Sequence, residues 1–130
     1  MNFRIHTVAA VSVAMFATVY GVSRTQAAIL AAVVCLVMAM ELLNTTAESI
    51  VDLISPERCR MAKIAKDSAA AAVLMLAVGA VVIAVFIFSD IDKLKGVLEF
   101  ALDNIAFFTV YVIVCVLYIF GIKPIKRRKR

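Results

Sequence analysis

Long apolar runs constrain the fold of this chain more than any other feature of its sequence. Four such runs occupy residues 5–22, 27–40, 68–88 and 105–122. Runs of this kind are typical of membrane-spanning helices, which need about 20 mostly apolar residues. Hydrophobic residues fill 65% of the 130 positions, more than a soluble domain of this size can bury. We therefore predict an all-α integral membrane helical bundle, and a soluble enzyme is excluded.

Polar segments between the runs predict where the helices begin and end. Turn-forming residues at 21–26 separate the first two helices, and a polar, basic connection at 53–67 precedes the third. Ser89 and Asp92 have the spacing of a capping box that would start another helix. Over residues 91–105, apolar positions recur at the helical period between charged ones, which is typical of a helix lying along the membrane surface.

This pattern divides the chain into two parts. Residues 1–88 are predicted to form a membrane domain with three transmembrane helices. Residues 89–130 are predicted to add the C-terminal interfacial helix, a fourth transmembrane helix and a basic tail.

Basic residues predict the orientation of the bundle. The chain has 14 Lys and Arg against 9 Asp and Glu, a net charge of +5. With four spans, most of the basic residues fall on the side that holds both termini, above all those of the tail at 123–130. Positive residues concentrate on the cytoplasmic side, so we expect a multi-pass membrane protein with both termini in the cytosol. The tail is interpreted as an anchor to anionic lipid and not as a nucleic-acid-binding arm.

The second helix carries an acidic face near its cytosolic end. Glu41, Asn44, Glu48 and Asp52 follow the apolar run at helical spacing. They share an arc of roughly 80° and extend about 16 Å along the helix axis. A carboxylate at membrane depth is costly and marks a functional path. Hard oxygen ligands suit Mg²⁺ bridged to phosphates, and a carboxylate beside lipid suits a general base for an alcohol.

Lys66 and Asp67 follow the basic connection, at the predicted start of the third helix. The lysine can bind phosphate as a point charge, and a helix N-terminus favours anions. Viewed alone, the pair also fits a cytosolic-side lysine beside a helix-capping aspartate. Opposite the acidic face, it supplies the phosphate-binding part of a phosphoryl-transfer site. His6, by contrast, is interpreted as a polar residue at the membrane interface.

These residues form a motif that closely resembles the core of the prokaryotic diacylglycerol kinase family, which includes the undecaprenol kinases. The family's signature is E-x-x-N-[ST]-x-x-E-x-x-V-D, followed farther along by A-K-D. Both parts occur here with matching spacing, at residues 41–52 and 65–67. The opening NFRIH at residues 2–6 is also similar to the family's entry into its first membrane helix.

The resemblance implies a small homotrimeric membrane enzyme with three spans per subunit and active sites shared between subunits. Such an enzyme transfers the γ-phosphate of ATP, with Mg²⁺, to the hydroxyl of a membrane lipid alcohol at the cytosolic face. By residue-level similarity, Glu41 matches the catalytic base, Asn44 its supporting amide and Glu48 a metal-binding glutamate. The residues that match nucleotide-contacting positions are Glu57, Lys66 and Asp67.

Three departures accompany the resemblance. The family has a second metal-binding glutamate shortly before the Phe-Arg pair, and counting back from Phe3 places it ahead of Met1, together with an amphipathic surface helix. We expect either a misassigned start codon or a degenerate kinase. Cys59 replaces a common loop histidine, and the segment 89–130 is additional to the short family members.

Three functional hypotheses remain open on the sequence. The leading one is an ATP-dependent lipid kinase acting on diacylglycerol or undecaprenol. The second is a catalytically inactive relative that serves as a membrane scaffold or partner subunit. The third is an ion or proton pathway through Glu41 and Glu48, which leaves the Lys66-Asp67 pair without a role.

Overall fold

The fold is a bundle of helices. The computed structural model describes residues 2–55 and 59–121, and these two ranges contain five α-helices and no strand. The helices are α1 (Asn2–Tyr20), α2 (Arg24–Ile54), α3 (Arg60–Ile87), α4 (Ile91–Asp103) and α5 (Ile105–Phe120). The predicted all-α membrane bundle is confirmed, whereas the basic tail lies outside the described residues.

Three of the helices are long and apolar enough to cross a membrane. They are α1, α2 and α3. Helix α5 has 16 residues, and it qualifies only when it is counted together with α4, from which a bend of 87° separates it. The described residues therefore provide three membrane spans, or four if the bent pair is one span.

The turn between α1 and α2 follows from local chemistry. Gly21 has a φ of 71°, a left-handed conformation that strains any residue with a Cβ atom. Ser23 then caps α2, because its hydroxyl accepts the N–H of Gln26 while the Gln26 side chain accepts the N–H of Ser23. This reciprocal capping box fixes the start of α2 and confirms the predicted turn.

The connection between α2 and α3 is shorter than the sequence predicted. Helix α2 continues to Ile54 and α3 begins at Arg60, so most of the segment 53–67 is helical. The Cys59 sulfur caps α3 by accepting the N–H of Ala62. Alanine, lysine and methionine are strong helix formers, and this propensity outweighs the polar composition. Lys66 and Asp67 consequently lie within α3 and not at its first residue.

The start of α4 also differs from the prediction. The carboxylate of Asp90 accepts the N–H groups of Asp92 and Lys93 and so caps the helix. The Ser89 hydroxyl instead donates to the carbonyl of Phe86, in the last turn of α3. The predicted capping box of Ser89 with Asp92 is therefore wrong, because the end of α3 engages the serine first.

Helix packing brings one end of each of the first three helices together. Helices α2 and α3 share the most extensive contact, α1 packs against α2, and α4 and α5 pack against α1. A small core forms from Ala17, Leu30 and Ile87 near the α1–α2 turn. Since consecutive helices run in opposite directions, the start of α1, the end of α2 and the start of α3 lie at the other end. That end carries the predicted site.

Polar contacts attach the C-terminal helices to α1. The Tyr20 hydroxyl accepts the N–H of Asp90 at 3.0 Å, and Lys93 Nζ donates to the Gly21 carbonyl at 3.3 Å. Along α5, the hydroxyls of Ser12 and Tyr111 hydrogen-bond at 2.7 Å. Helix α4 thus meets the turn end of α1, and α5 lies beside its middle.

Candidate active site

Helix α2 turns two polar side chains into the bundle. Glu41 is 3% exposed and Asn44 is 5% exposed, and they are the buried polar or charged residues of the described ranges. They lie one helical turn apart, so they share a face of α2. Burial of a carboxylate and an amide on one helix face costs folding free energy, since both groups lose their hydration.

Both buried side chains have an atom without a hydrogen-bond partner. These atoms are Oε2 of Glu41 and Oδ1 of Asn44. Buried polar atoms in folded proteins are nearly always paired, and an exception calls for an explanation such as a catalytic role or an absent ligand. Two adjacent acceptors of this kind form a site that is ready to receive a donor, such as the hydroxyl of an alcohol.

Glu48 lies one turn farther toward the end of α2 and is exposed. The amide of Asn44 donates from Nδ2 to Glu48 Oε1 at 3.2 Å, so the buried and exposed parts of the face are connected. The hydroxyls beside this face are engaged within their own helix, because Thr45 donates to the Glu41 carbonyl and Ser49 to the Thr45 carbonyl. The side chains of Glu41, Asn44 and Glu48 therefore form the inner part of the acidic face, and Asp52 lies at its outer end.

Lys66 meets the acidic face at its outer end. Its Nζ forms an ion pair with Asp52 Oδ1 at 2.5 Å, and the two side chains are 36% and 68% exposed. An exposed pair of this kind contributes little to stability, so the lysine can exchange its partner for another anion. Asp67 is exposed on the next position of α3. Glu57 lies outside the described residues.

His6 is the functional candidate that sequence reasoning missed. Its Nε2 lies 3.8 Å from the buried Oε2 of Glu41, and its side chain is 22% exposed. The sequence interpretation as an interfacial residue treated α1 alone. The available signal was distance from the α1–α2 turn: residues equally far from the turn of an antiparallel helix pair lie at similar depth. His6 lies 14 residues before the end of α1 and Glu41 lies 17 residues after the start of α2, so their depths differ by only about 5 Å.

An apolar slot leads away from this pair between α1, α2 and α3. Its volume is about 250 Å³. Small side chains leave the space open, and the residues that line it include His6, Ala9, Met38, Ala77, Ala80 and Ala84. A second cleft of about 630 Å³ lies between α1 and α2 nearer their turn. The slot offers a hydrocarbon chain a dry path that ends beside the histidine.

Cys59 has a perturbed environment at the start of α3, beside the polar end of the site. The Ser55 hydroxyl, the N–H of Ala62 and a further backbone contact at Met61 lower the pKa of this exposed thiol, with Ser55 contributing most. The Sγ atom lies 3.4 Å from both the Ser55 oxygen and the Ala62 nitrogen. The thiol is therefore more readily ionised than an ordinary cysteine.

The acidic face offers carboxylate oxygen atoms, the type of ligand that Mg²⁺ prefers. No group of three or more His, Cys, Asp or Glu side chains gathers as a metal cage within residues 2–55 and 59–121. Mg²⁺ binds through one or two carboxylates, with waters and substrate phosphates completing its shell. The exposed carboxylate of Glu48, held by Asn44, fits that mode of binding.

Comparisons with known proteins show the family to which this sequence is similar. The sequence profile of the prokaryotic diacylglycerol kinases matches residues 1–88. A Synechocystis protein named diacylglycerol kinase is 48% identical over 83 residues, which cover 63% of this chain and 47% of the relative. A Bacillus subtilis protein named undecaprenol kinase is 37% identical over 87 residues, which cover 67% of this chain and 71% of the relative.

These matches have definite limits. The chain spans about half the length of the Synechocystis relative, and no solved structure matches it. The profile nevertheless covers more than half of the chain, including Glu41, Asn44, Glu48 and Lys66. The chain therefore belongs to the prokaryotic diacylglycerol kinase family.

Proposed function

We propose that this protein is a lipid kinase that transfers the γ-phosphoryl group of ATP to the hydroxyl of a membrane lipid alcohol. The observation that carries the proposal is the buried carboxylate of Glu41, whose Oε2 has no hydrogen-bond partner. A general base must accept a proton at such an atom. The two named relatives act, by their names, on diacylglycerol and on undecaprenol, both of which present a hydroxyl at the membrane interface.

Glu41 would act on the lipid hydroxyl. Its carboxylate removes the proton as the lipid oxygen forms a bond to the γ-phosphorus and the bond from that phosphorus to ADP breaks. Asn44 supports this step because its unpartnered Oδ1 lies on the same buried face. The apolar slot beside His6 provides space for the hydrocarbon part of the lipid.

Glu48 would hold the Mg²⁺ ion, together with the phosphates of ATP. A bound Mg²⁺ supplies positive charge that stabilises the charge developing on the transferred phosphoryl group. The hydrogen bond from Asn44 Nδ2 to Glu48 Oε1 sets the orientation of the carboxylate. Asn44 therefore connects the residue that takes the proton to the residue that holds the metal.

Lys66, Asp67 and Glu57 would contact the nucleotide. Lys66 is half-buried near the outer end of the acidic face, where it pairs with Asp52. A phosphate group of ATP would replace Asp52 as the partner of the lysine, since charge-assisted contacts to phosphate are strong. The assignments of Asp67 and Glu57 rest on their match to the family pattern alone.

The membrane setting follows from the same proposal. Both termini and the site would face the cytosol, where ATP is available, in the bacterial inner membrane. Residues 1–88 would form the kinase domain, and residues 89–130 an added segment with a fourth span. We also propose the homotrimer with shared active sites that the family resemblance implies.

The test is turnover by the purified full chain in detergent micelles. The protein would be given ATP, Mg²⁺ and either diacylglycerol or a polyprenol, and the phosphorylated lipid would be measured. Glu41→Gln should abolish turnover, because the amide cannot accept the proton. The matched control is Glu99→Gln, which alters an exposed glutamate on α4 and should leave turnover unchanged.

Two results would overturn the proposal. One is an absence of turnover with every lipid alcohol by a folded wild-type protein, which would favour an inactive scaffold or partner subunit. The other is full turnover by Glu41→Gln, which would remove Glu41 from the role of base.

A further inference from the structure

We propose that His6 is a proton relay for this site: it takes the proton that Glu41 removes from the lipid hydroxyl and passes it to cytosolic water. The inference rests on the proposed lipid kinase function. Its basis is the position of His6 Nε2, 3.8 Å from Glu41 Oε2. That oxygen is one of the two buried side-chain oxygen atoms that lack a hydrogen-bond partner among the described residues, the other being Asn44 Oδ1.

Glu41 needs such a relay because its carboxyl group is sealed from water. Its side chain is 4% exposed, whereas that of His6 is 22% exposed. A buried carboxyl that has accepted a proton must lose it before the next turnover. The imidazole beside it extends from the buried carboxyl group to the surface of the bundle, at the end that carries the site.

The other groups around Glu41 are less suited to this transfer. On α2, the Thr45 hydroxyl donates to the Glu41 backbone carbonyl, and the Asn44 amide donates to Glu48. On α3, the charged residues all lie within the first eight positions, and the long remainder 68–87 is apolar or small. Lys66, the best placed of those charges, pairs with Asp52.

Helix α1 presents two basic residues at this end, and the C-terminal helices present none to α2. Arg4 lies on α1 about half a turn before His6, but a guanidinium remains protonated in proteins and cannot accept a proton. Helices α4 and α5 pack against α1 and not against α2. The Tyr111 phenol, on α5, is hydrogen-bonded to Ser12.

The proton balance closes with imidazole chemistry alone. The proton of the lipid hydroxyl moves to Glu41 Oε2 while the γ-phosphoryl group moves from ATP to the lipid oxygen and ADP leaves. Glu41 then gives that proton to Nε2 of neutral His6, and the imidazolium releases its other proton from Nδ1 to water. Proton exchange of the imidazole with water then restores the tautomer that carries hydrogen on Nδ1. Carboxylate and neutral imidazole are both regenerated in this way, and no additional reactant is consumed.

The separation of 3.8 Å is longer than a hydrogen bond. A small rotation of the imidazole, or one bridging water, would bring the two groups into proton-transfer distance. Contacts of catalytic groups are often long before the substrate binds and tighten afterwards. His6 also lines the apolar slot, so a lipid that fills the slot would contact the ring directly.

The experiment compares His6→Ala and His6→Gln with the wild-type protein under the turnover assay. We expect kcat to fall by about tenfold to hundredfold in both variants, because a positioned proton-transfer group contributes on that scale or above. KM for ATP should not change. The acidic limb of the kcat–pH profile should flatten, since the group that must be neutral to accept the proton is absent.

Chemical rescue separates a relay from a structural role. Free imidazole should restore at least part of kcat in His6→Ala, where it can enter the vacated space, and should not do so in Glu41→Gln. Thr7→Val is the matched control on α1. The Thr7 hydroxyl donates to the Phe3 carbonyl of its own helix, so this variant should keep the wild-type rate and pH profile.

The outcomes show separately whether the lipid kinase function and the His6 relay are correct. If the wild-type protein shows no turnover, the proposed function fails and the relay fails with it. If the wild-type protein is active but His6→Gln keeps its rate and pH profile, the relay alone is overturned. A folded His6→Ala protein that is impaired but gains nothing from imidazole also overturns it, because the histidine would then have only a structural role.

Discussion

The two parts of this molecule treat polar groups inside the bundle in opposite ways. In the family-matched part, Glu41 and Asn44 are buried with unpartnered oxygen atoms. In the C-terminal part, the polar contacts to α1 are complete: Tyr111 bonds Ser12, and the N–H of Asp90 bonds Tyr20. A buried polar atom without a hydrogen-bond partner lowers the stability of the fold and indicates a site for a ligand. A polar group that is hydrogen-bonded to a neighbouring helix indicates a role in packing.

The charged residues show the same contrast. The ion pair of Lys66 with Asp52 joins α2 to α3 through two residues that are 14 positions apart along the chain. The pair of Lys95 with Asp92 lies within α4, and both of its side chains are largely exposed. One pair lies at the end of the acidic face, and the other lies on the exposed side of α4. The comparison predicts that substitutions in the two parts will have different consequences.

The largest expected effect is at Glu41, where one substitution should lower activity and raise stability. Glu41→Leu should lower turnover by about 100-fold or more, because the base is lost. The same change should raise the free energy of unfolding by about 1–3 kcal/mol, since it removes a buried polar group without a partner. Turnover and unfolding in mixed micelles would both be measured. Glu99→Leu is the control, and a destabilised Glu41→Leu protein would contradict the comparison.

The second effect concerns the two lysines. Lys66→Met should raise KM for ATP by about tenfold or more, in line with the loss of a hydrogen bond to a charged group. Lys95→Met, which breaks the ion pair on α4, should leave KM unchanged. Initial rates over a range of ATP concentrations measure both. Equal effects of the two substitutions would remove Lys66 from the nucleotide site.

A smaller effect is expected where the C-terminal part meets α1. Tyr111→Phe should lower the free energy of unfolding by about 0.6 kcal/mol, the average for a side-chain hydrogen bond within a membrane. Turnover should be unchanged. A double-mutant cycle with Ser12→Ala isolates the contact, because Ser12 also donates to the Val8 carbonyl. A large loss of turnover would place α5 within the functional part of the molecule.

The smallest effect is a shift in the pH dependence of one thiol. Because the pKa of Cys59 is lowered, more thiolate is present at a given pH and alkylation begins at lower pH than for an ordinary cysteine. Ser55→Ala removes the largest contribution and should move the alkylation curve to higher pH. A protein with Cys35 and Cys115 replaced by alanine gives an unambiguous signal. An unshifted curve would show that the Ser55 contact does not act on the thiol.

Prediction from the sequence succeeded where local pattern decides the outcome. The apolar runs predicted the helices, the turn-forming residues predicted the turn between α1 and α2, and the helical spacing of Glu41, Asn44 and Glu48 placed them on one face. Prediction failed where two local preferences compete. Helix propensity extended α3 back to Arg60 against its polar composition, and the end of α3 captured Ser89, which left Asp90 to cap α4.

The sequence by itself determined the all-α membrane architecture, the acidic face of α2 and the family motif, because each depends on composition or on spacing along one helix. Only the tertiary structure decided which members of that face are buried, that Lys66 pairs with Asp52, and that His6 lies beside Glu41. These contacts join different helices. They depend on the crossing angles of the helices and on how each helix is rotated about its axis. The hydrophobic period within a single helix does not determine these angles.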